Sequence, residues 1–171
     1  MNITEFKARL GAGGARPNQF RVLLAFPSFV SGVDPSYSIL VVGAALPAST
    51  VNPTVIQYRG REVKMAGERI FDPWTITIVN DTKQSLRRPF EAWMNGMNNR
   101  VTNSGILTPS QYQTDIVVQQ LDRNDAVLQG GTYTLRGAFP IQMSEIALQY
   151  AQNDVIEEFT VTLQYQSYEV I

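Results

Sequence analysis

The chain has 171 residues, with 14 Lys and Arg, 15 Asp and Glu, no His and no Cys, giving a formal net charge of -1. That length fits one domain, able to bury roughly 70% of its unfolded surface without help from a disulfide or a metal. The two zero counts exclude disulfide frameworks, thiol nucleophiles, Cys- or His-ligated metals, Ser-His-Asp triads and imidazole acid–base chemistry, and the balanced charge argues against a generic nucleic-acid binder.

Charged residues make up 17% of the chain, against about 25% in an average soluble domain. Neutral polar residues fill the gap, with 13 Gln, 10 Asn and 13 Thr. Two readings follow: a surface largely covered by identical partners, or simply a weakly charged domain. The longest apolar run, residues 39–46, is closed by Pro47 and falls far short of the ~20 residues that span a bilayer. The first ten residues carry no apolar signal-peptide core. The expectation is a chain that stays, or at least assembles, in a cytoplasm.

In chain order, Ile3, Phe6 and Leu10 share one face of a short amphipathic helix. Residues 11–14, Gly-Ala-Gly-Gly, end it. No Lys-Ser/Thr pair follows those glycines, so a flexible joint is expected rather than a phosphate cradle. From Phe20 the period is two: Phe20, Val22, Leu24 and Phe26 face one way, Arg21 the other, and Pro27 stops the run. Residues 28–38 hold Gly32 and Asp34-Pro35, a loop signature. Residues 39–44 read as a buried strand. Residues 54–58, a turn at Arg59-Gly60-Arg61, and residues 62–66 read as a hairpin whose arms carry few large apolar side chains. An isolated hairpin is marginal in water, so it must pack on a core or reach a neighbouring chain.

Residues 74–79 alternate, with Trp74, Ile76 and Ile78 inward. Asp81 or Thr82 is positioned to cap a helix starting near Lys83. Leu86, Phe90, Trp93, Met94 and Met97 form its apolar stripe, and Pro89 implies an irregular first turn or a later start. Residues 95–105 read as a loop. Four further strands are expected at 114–121, 132–138, 144–150 and 157–168. In the last, Phe159, Val161, Leu163 and Tyr165 oppose Glu158, Thr160, Thr162, Gln164 and Gln166. Thr132, Thr134 and Arg136 oppose Tyr133 and Leu135 in the same way. The fold class is mainly β: an antiparallel sandwich or barrel with one main helix, in a single domain over residues 1–171.

Chemistry is sparse. The acid–base groups are carboxylates alone. Glu157 and Glu158 are adjacent on a strand and point to opposite faces. No catalytic residue, metal site or cofactor site is expected. Arg59, Arg61, Glu62, Lys64, Glu68 and Arg69 form a dense patch of alternating charge, read either as a solvated hairpin or as a docking surface whose rim ion pairs fix register more than affinity. Arg87-Arg88 is far short of a nucleic-acid stripe. The outward strand rows are Thr, Gln and Ser. Such rows suit a wet channel that does not trap a passing polymer, and they suit an ordinary sandwich face as well.

Several stretches together carry a resemblance. They are residues 15–22 (Ala-Arg-Pro-Asn-Gln-Phe-Arg-Val), 45–48 (Ala-Leu-Pro-Ala), 65–81 with its Ala-Gly-Glu-Arg-Ile-Phe-Asp-Pro-Trp-Thr block, 90–93 (Phe-Glu-Ala-Trp), 135–140, 144–146 and 156–163. The chain resembles the tail tube proteins of contractile-tailed, T-even-like bacteriophages. That resemblance implies hexameric rings whose sheets join into one continuous inner β-barrel, stacked into a tube. It implies a sheath protein outside, tape-measure protein and double-stranded DNA in the lumen, and a baseplate hub and tail terminator at the ends. It places residues 54–71 at inter-subunit or inter-ring contacts, through Arg59, Arg61, Glu62, Lys64, Glu68 and Arg69, and lets residues 1–14 reach a neighbour. Thr75, Thr77, Thr132, Thr134 and Arg136 become candidates to line the lumen. Such a surface closes sheet edges that otherwise aggregate, and ring stacking is an open, heterologous association. The alternatives are a tube of a bacterial contractile injection or secretion system or pyocin-like particle, and a monomeric β-sandwich binding module.

Overall fold

The computed structural model describes residues 2–11 and 14–171. Ala12 and Gly13, half of the expected joint, lie outside the described residues. Helix α1 is Ile3–Leu10, and the Asn2 side chain accepts a hydrogen bond from the Thr4 N–H at its start. It has no buried residue; Ile3, Phe6 and Leu10 are all exposed.

The body is an antiparallel sheet built from β1 (Phe20–Leu23), β2 (Val41–Ala44), β5 (Trp74–Val79), β6 (Thr114–Leu121), β7 (Val127–Met143), β8 (Glu158–Gln164) and β9 (Ser167–Val170). Its order is β1-β6-β7-β8-β5-β2, with β9 also on β7. The long strand β7 serves both halves. Its first part pairs with β6 and β9, its last part with β8. The switch comes at Gly137, whose φ of +62° favours glycine. Bends of this kind let one strand turn a corner between two layers.

One core lies between the halves. Ile116, Val118 and Leu135 face it from one side; Ile76, Ile78, Phe159, Val161 and Leu163 face it from the other. Helix α2 (Arg87–Met97) closes it with Phe90 and Trp93, both wholly buried. Phe26 meets both rings edge-on, a favoured aromatic geometry. The Trp93 indole N–H donates to the Tyr112 carbonyl at 2.7 Å, at the end of the short helix α3 (Pro109–Tyr112). Helix α2 starts four residues after the position expected near Lys83. Pro89 then falls in its first turn, where a backbone N–H has no intrahelical partner to lose. The Asp81 carboxylate instead receives the N–H and hydroxyl of Ser85 in the preceding turn. The helix also continues through residues 95–97, which the sequence assigned to a loop.

Other expectations are corrected. Residues 39–40 belong to a 3-10 helix, Pro35–Leu40, with the Asp34 side chain accepting from the Ser36 N–H at its start. Strand β1 stops at Leu23, three residues before Phe26. Residues 144–150 are not a strand but an irregular loop, because β7 already runs through Pro140 to Met143 with a bulge between Pro140 and Gln142. The last expected strand is two, β8 and β9, broken at Tyr165-Gln166.

Candidate functional site

The remaining strands, β3 (Ser49–Tyr58) and β4 (Arg61–Phe71), pair only with each other. They form a long arm outside the body sheet, with nearly every residue exposed on both faces. Its turn is two residues, Arg59-Gly60, because Tyr58 pairs directly with Arg61. Both turn residues have positive φ, +47° and +80°, the geometry of a type I′ turn matched to strand twist. Arg61 therefore belongs to the strand.

The base of the arm is held to the body by aromatic and polar contacts. Phe71 packs against Tyr165 and Tyr168 with ring centroids 5.8 and 5.7 Å apart. The Tyr165 hydroxyl donates to the Ala48 carbonyl at 3.1 Å, and the Ser49 and Tyr168 hydroxyls lie 3.3 Å apart. Burial, with smaller effects from the Tyr168 and Asp72 charges, pushes the Tyr165 hydroxyl above its ordinary pKa and keeps it a neutral donor. Midway along the arm the register shifts, with Asn52 opposite Gly67 and Glu68. Such a bulge bends and twists a ribbon. Gly67 is required there: a Cβ would stand 2.5 Å from the Asn52 carbonyl oxygen.

Beyond the bulge the two faces differ. Directly paired residues share a face. Tyr58/Arg61, Ile56/Val63 and Thr54/Met65 form one; Gln57/Glu62, Val55/Lys64 and Pro53/Ala66 form the other. Ile56, Tyr58, Val63 and Met65 are all exposed, so the first face is a contiguous apolar strip. The sequence reading of few large apolar side chains missed it. The signal was present as alternation along both arms at once. The expected contact residues Arg59, Arg61, Glu62, Lys64, Glu68 and Arg69 all lie on this arm and are exposed. Among the described residues none of the six forms an ion pair. Gln57 donates to Glu62 at 3.2 Å, and the Arg59 guanidinium lies over the Tyr58 ring at 5.5 Å.

The five polar candidates fall into two separate rows. Thr75 and Thr77 of β5 pair with Thr162 and Thr160 of β8. The Thr75 and Thr162 hydroxyls are 3.0 Å apart. This makes an uncharged threonine ladder on the outward face of that half. Thr132, Thr134 and Arg136 of β7 lie on the outward face of the other half, across the core from the ladder. Thr134 is only 7% exposed, crowded by neighbouring strands. Arg136 is clamped by Asp115 and by Glu169, the latter at 2.8 Å. These two carboxylates hold the guanidinium above its already high pKa. No group of three or more His, Cys, Asp or Glu suited to a metal occurs among the described residues. No described helix is long and apolar enough to cross a membrane.

A projecting arm on an antiparallel β body, with an uncharged threonine row on one outward face, is the geometry of a building block. The family model described as phage tail tube protein matches residues 15–171. The chain belongs to the phage tail tube protein family. It is 29% identical to the tail tube protein of Serratia phage KSP90 over 95% of this chain and 93% of that one. It is 30% identical to the tail tube protein of Enterobacteria phage T4 over 87% of each. Among solved structures, a chain in the baseplate of the anti-feeding prophage, a 6-fold symmetrised particle, superposes with a TM-score of 0.68 at 15% identity, covering 94% of this chain and 97% of that one. A chain of an extracellular contractile injection system's sheath–tube complex gives 0.57 at 14%, covering 96% and 98%. These two show the fold alone. The role of this tail tube protein is structural.

Proposed function

We propose that six copies of this tail tube protein close into a ring, and that rings stack into the inner tube of a contractile phage tail. The observation that carries this reading is the arm, a two-stranded ribbon exposed on both faces. In a solitary molecule it has only its own ladder and the contacts at its base to hold it, whereas in a ring or stack it gains a partner surface. The body sheet also leaves the edge strands β1, β2 and β9 each paired on one side only, and joining sheets around a ring closes such edges into a continuous barrel. The lumen wall in this reading is the threonine ladder of β5 and β8. It is hydrated and uncharged, and it lets tape-measure protein and double-stranded DNA pass without sticking. The sheath lies outside, with baseplate hub and terminator at the ends, and the subunits are made and assembled in the host cytoplasm. A phage tail is favoured over an injection machine because the relatives near 30% identity are phage proteins.

Light scattering over a concentration series, with negative-stain imaging of the same fractions, tests this. Hexamer-sized rings or hollow tubes are expected. A protein that stays monomeric at every concentration, even with a baseplate seed added, overturns the reading.

A further inference from the structure

The charge of the chain is unevenly divided. The arm, residues 49–71, holds four basic and two acidic residues, net +2, leaving ten basic and thirteen acidic elsewhere, net -3. The acidic excess has a particular location. The loop of residues 144–158 contains Glu145, Asp154, Glu157 and Glu158 and no basic residue. The same loop exposes Leu148, Tyr150, Val155 and Ile156, with Tyr150 fully in solvent. Leu148, Tyr150 and Val155 line an open cleft, with Glu157 at its wall. The arm offers the complement: Ile56, Tyr58, Val63 and Met65 on one face, with Arg61 on that face and Arg59 over the Tyr58 ring.

The two surfaces are held apart within one molecule. The arm joins the body at Phe71, and only Asp72-Pro73 separate it from the start of β5 at Trp74, which pairs with Leu163. The loop ends at Glu158, which pairs with Val79 at the other end of the same two strands. Five residue steps along an antiparallel strand separate these ends by ~17 Å. Both surfaces are exposed, so neither covers the other.

We infer that the arm of one copy docks, by its apolar face and basic rim, on the 144–158 loop of a second copy. The inference rests on the self-assembly proposed above and names the partner surface for the arm. Two different patches in contact make a head-to-tail interface, the kind that builds rings and filaments rather than closed twofold dimers. The apolar strip supplies affinity and the opposite charges supply orientation.

Charge exchange tests the pairing. The arm variant Arg59→Glu with Arg61→Glu and the loop variant Asp154→Lys with Glu158→Lys each place like charges across the contact. Each alone is expected to assemble at least tenfold less well than the natural protein. An equal mixture of the two restores opposite charges at every contact and is expected to assemble again, in alternating order. So is the fourfold variant. Tubes that form equally well from either variant alone overturn the arm–loop pairing while leaving the tube function standing. A second measurement does not depend on tubes. The chain lacks cysteine, so Tyr58→Cys and Val155→Cys variants, mixed and oxidised, are expected to yield a mixed disulfide dimer well above either homodimer. Homodimers alone overturn the pairing. Mixed dimers without any ring or tube would support the pairing and count against the tube.

Discussion

Two residues show how this chain divides its stability between core and surface. Trp93 is wholly buried, touches Phe26 and Phe90, and donates to the Tyr112 carbonyl. Trp93→Ala leaves a cavity and an unpaired carbonyl, and large aromatic truncations of this kind cost about 3–5 kcal/mol. Urea unfolding of the isolated protein is expected to show a lower midpoint with an unchanged slope. Asp115 acts through charge instead. Burial raises its pKa, but the Gly137 N–H and the hydrogen bond and charge of Arg136 outweigh that, so the carboxyl sits below its ordinary 3.8. A folded pKa lower than the unfolded one stabilises the protein above the unfolded value and ceases to as pH falls through the folded one. The Asp115 contribution is therefore complete at neutral pH and disappears below about pH 4. Asp115→Asn is expected to reduce the steepness of acid unfolding in that range, measured by circular dichroism. An identical acid profile for the two proteins would show that the Asp115–Arg136 contact between β6 and β7 adds nothing. Both partners are nearly half exposed, so solvent screening keeps the effect small.

At the scale of elements, the arm is the part whose behaviour separates most cleanly from the body. Gly67→Ala forces a Cβ against the Asn52 carbonyl and the Thr54 hydroxyl, 2.5 and 2.7 Å away, so the bulge must open and the arm must re-aim. Both tryptophans are in the body, and both are buried, so their fluorescence reports the body alone. The variant is expected to unfold in urea within about 0.5 kcal/mol of the natural protein, yet to need at least a tenfold higher concentration to assemble. Loss of body stability of the same size as the assembly defect would mean that the arm is part of the core fold. The body strands were legible because burial on one face writes a period of two into residues 74–79 and 157–164. Helix α2 was legible from its stripe, though not its first turn. Residues 144–150 misled for a physical reason: Ile146, Leu148 and Tyr150 alternate as a strand would, but Leu148 and Tyr150 face solvent. A surface that waits for a partner carries the same pattern as one that faces its own core. The arm hid its apolar strip for the converse reason. Its large side chains are split between two strands and become contiguous only when Tyr58 pairs with Arg61 and Ile56 with Val63. Its bulge was invisible because nothing in the local pattern distinguishes Gly67 from a turn glycine.

At the scale of the whole molecule, the sequence reading placed five residues in one lumen, and the fold separates them into two rows across the core. A single ring has one inner wall. The row on β5 is a neutral ladder with Thr160 and Thr162; the row on β7 ends in Arg136 bound to two carboxylates. A wall that passes a polyanion gains from having few fixed charges to hold it, and the first row meets that condition better. Thiol labelling distinguishes the rows, because no native cysteine competes. Thr75→Cys and Thr132→Cys are made separately, with Val101→Cys as a third position on an exposed loop. In the unassembled protein, Thr75→Cys and Val101→Cys are expected to react with both a small maleimide and a bulky polymer-linked one. After tube assembly, a thiol at position 75 is expected to keep its reaction with the small reagent and lose that with the bulky one, since only the small one enters the bore. Position 101 is expected to keep both if that loop lies on the outer wall. Size exclusion at position 132 instead of 75 would turn the subunit around in the ring and put the Arg136 clamp on the inner wall. Bulky labelling at both 75 and 132 in intact tubes would place neither row in the lumen.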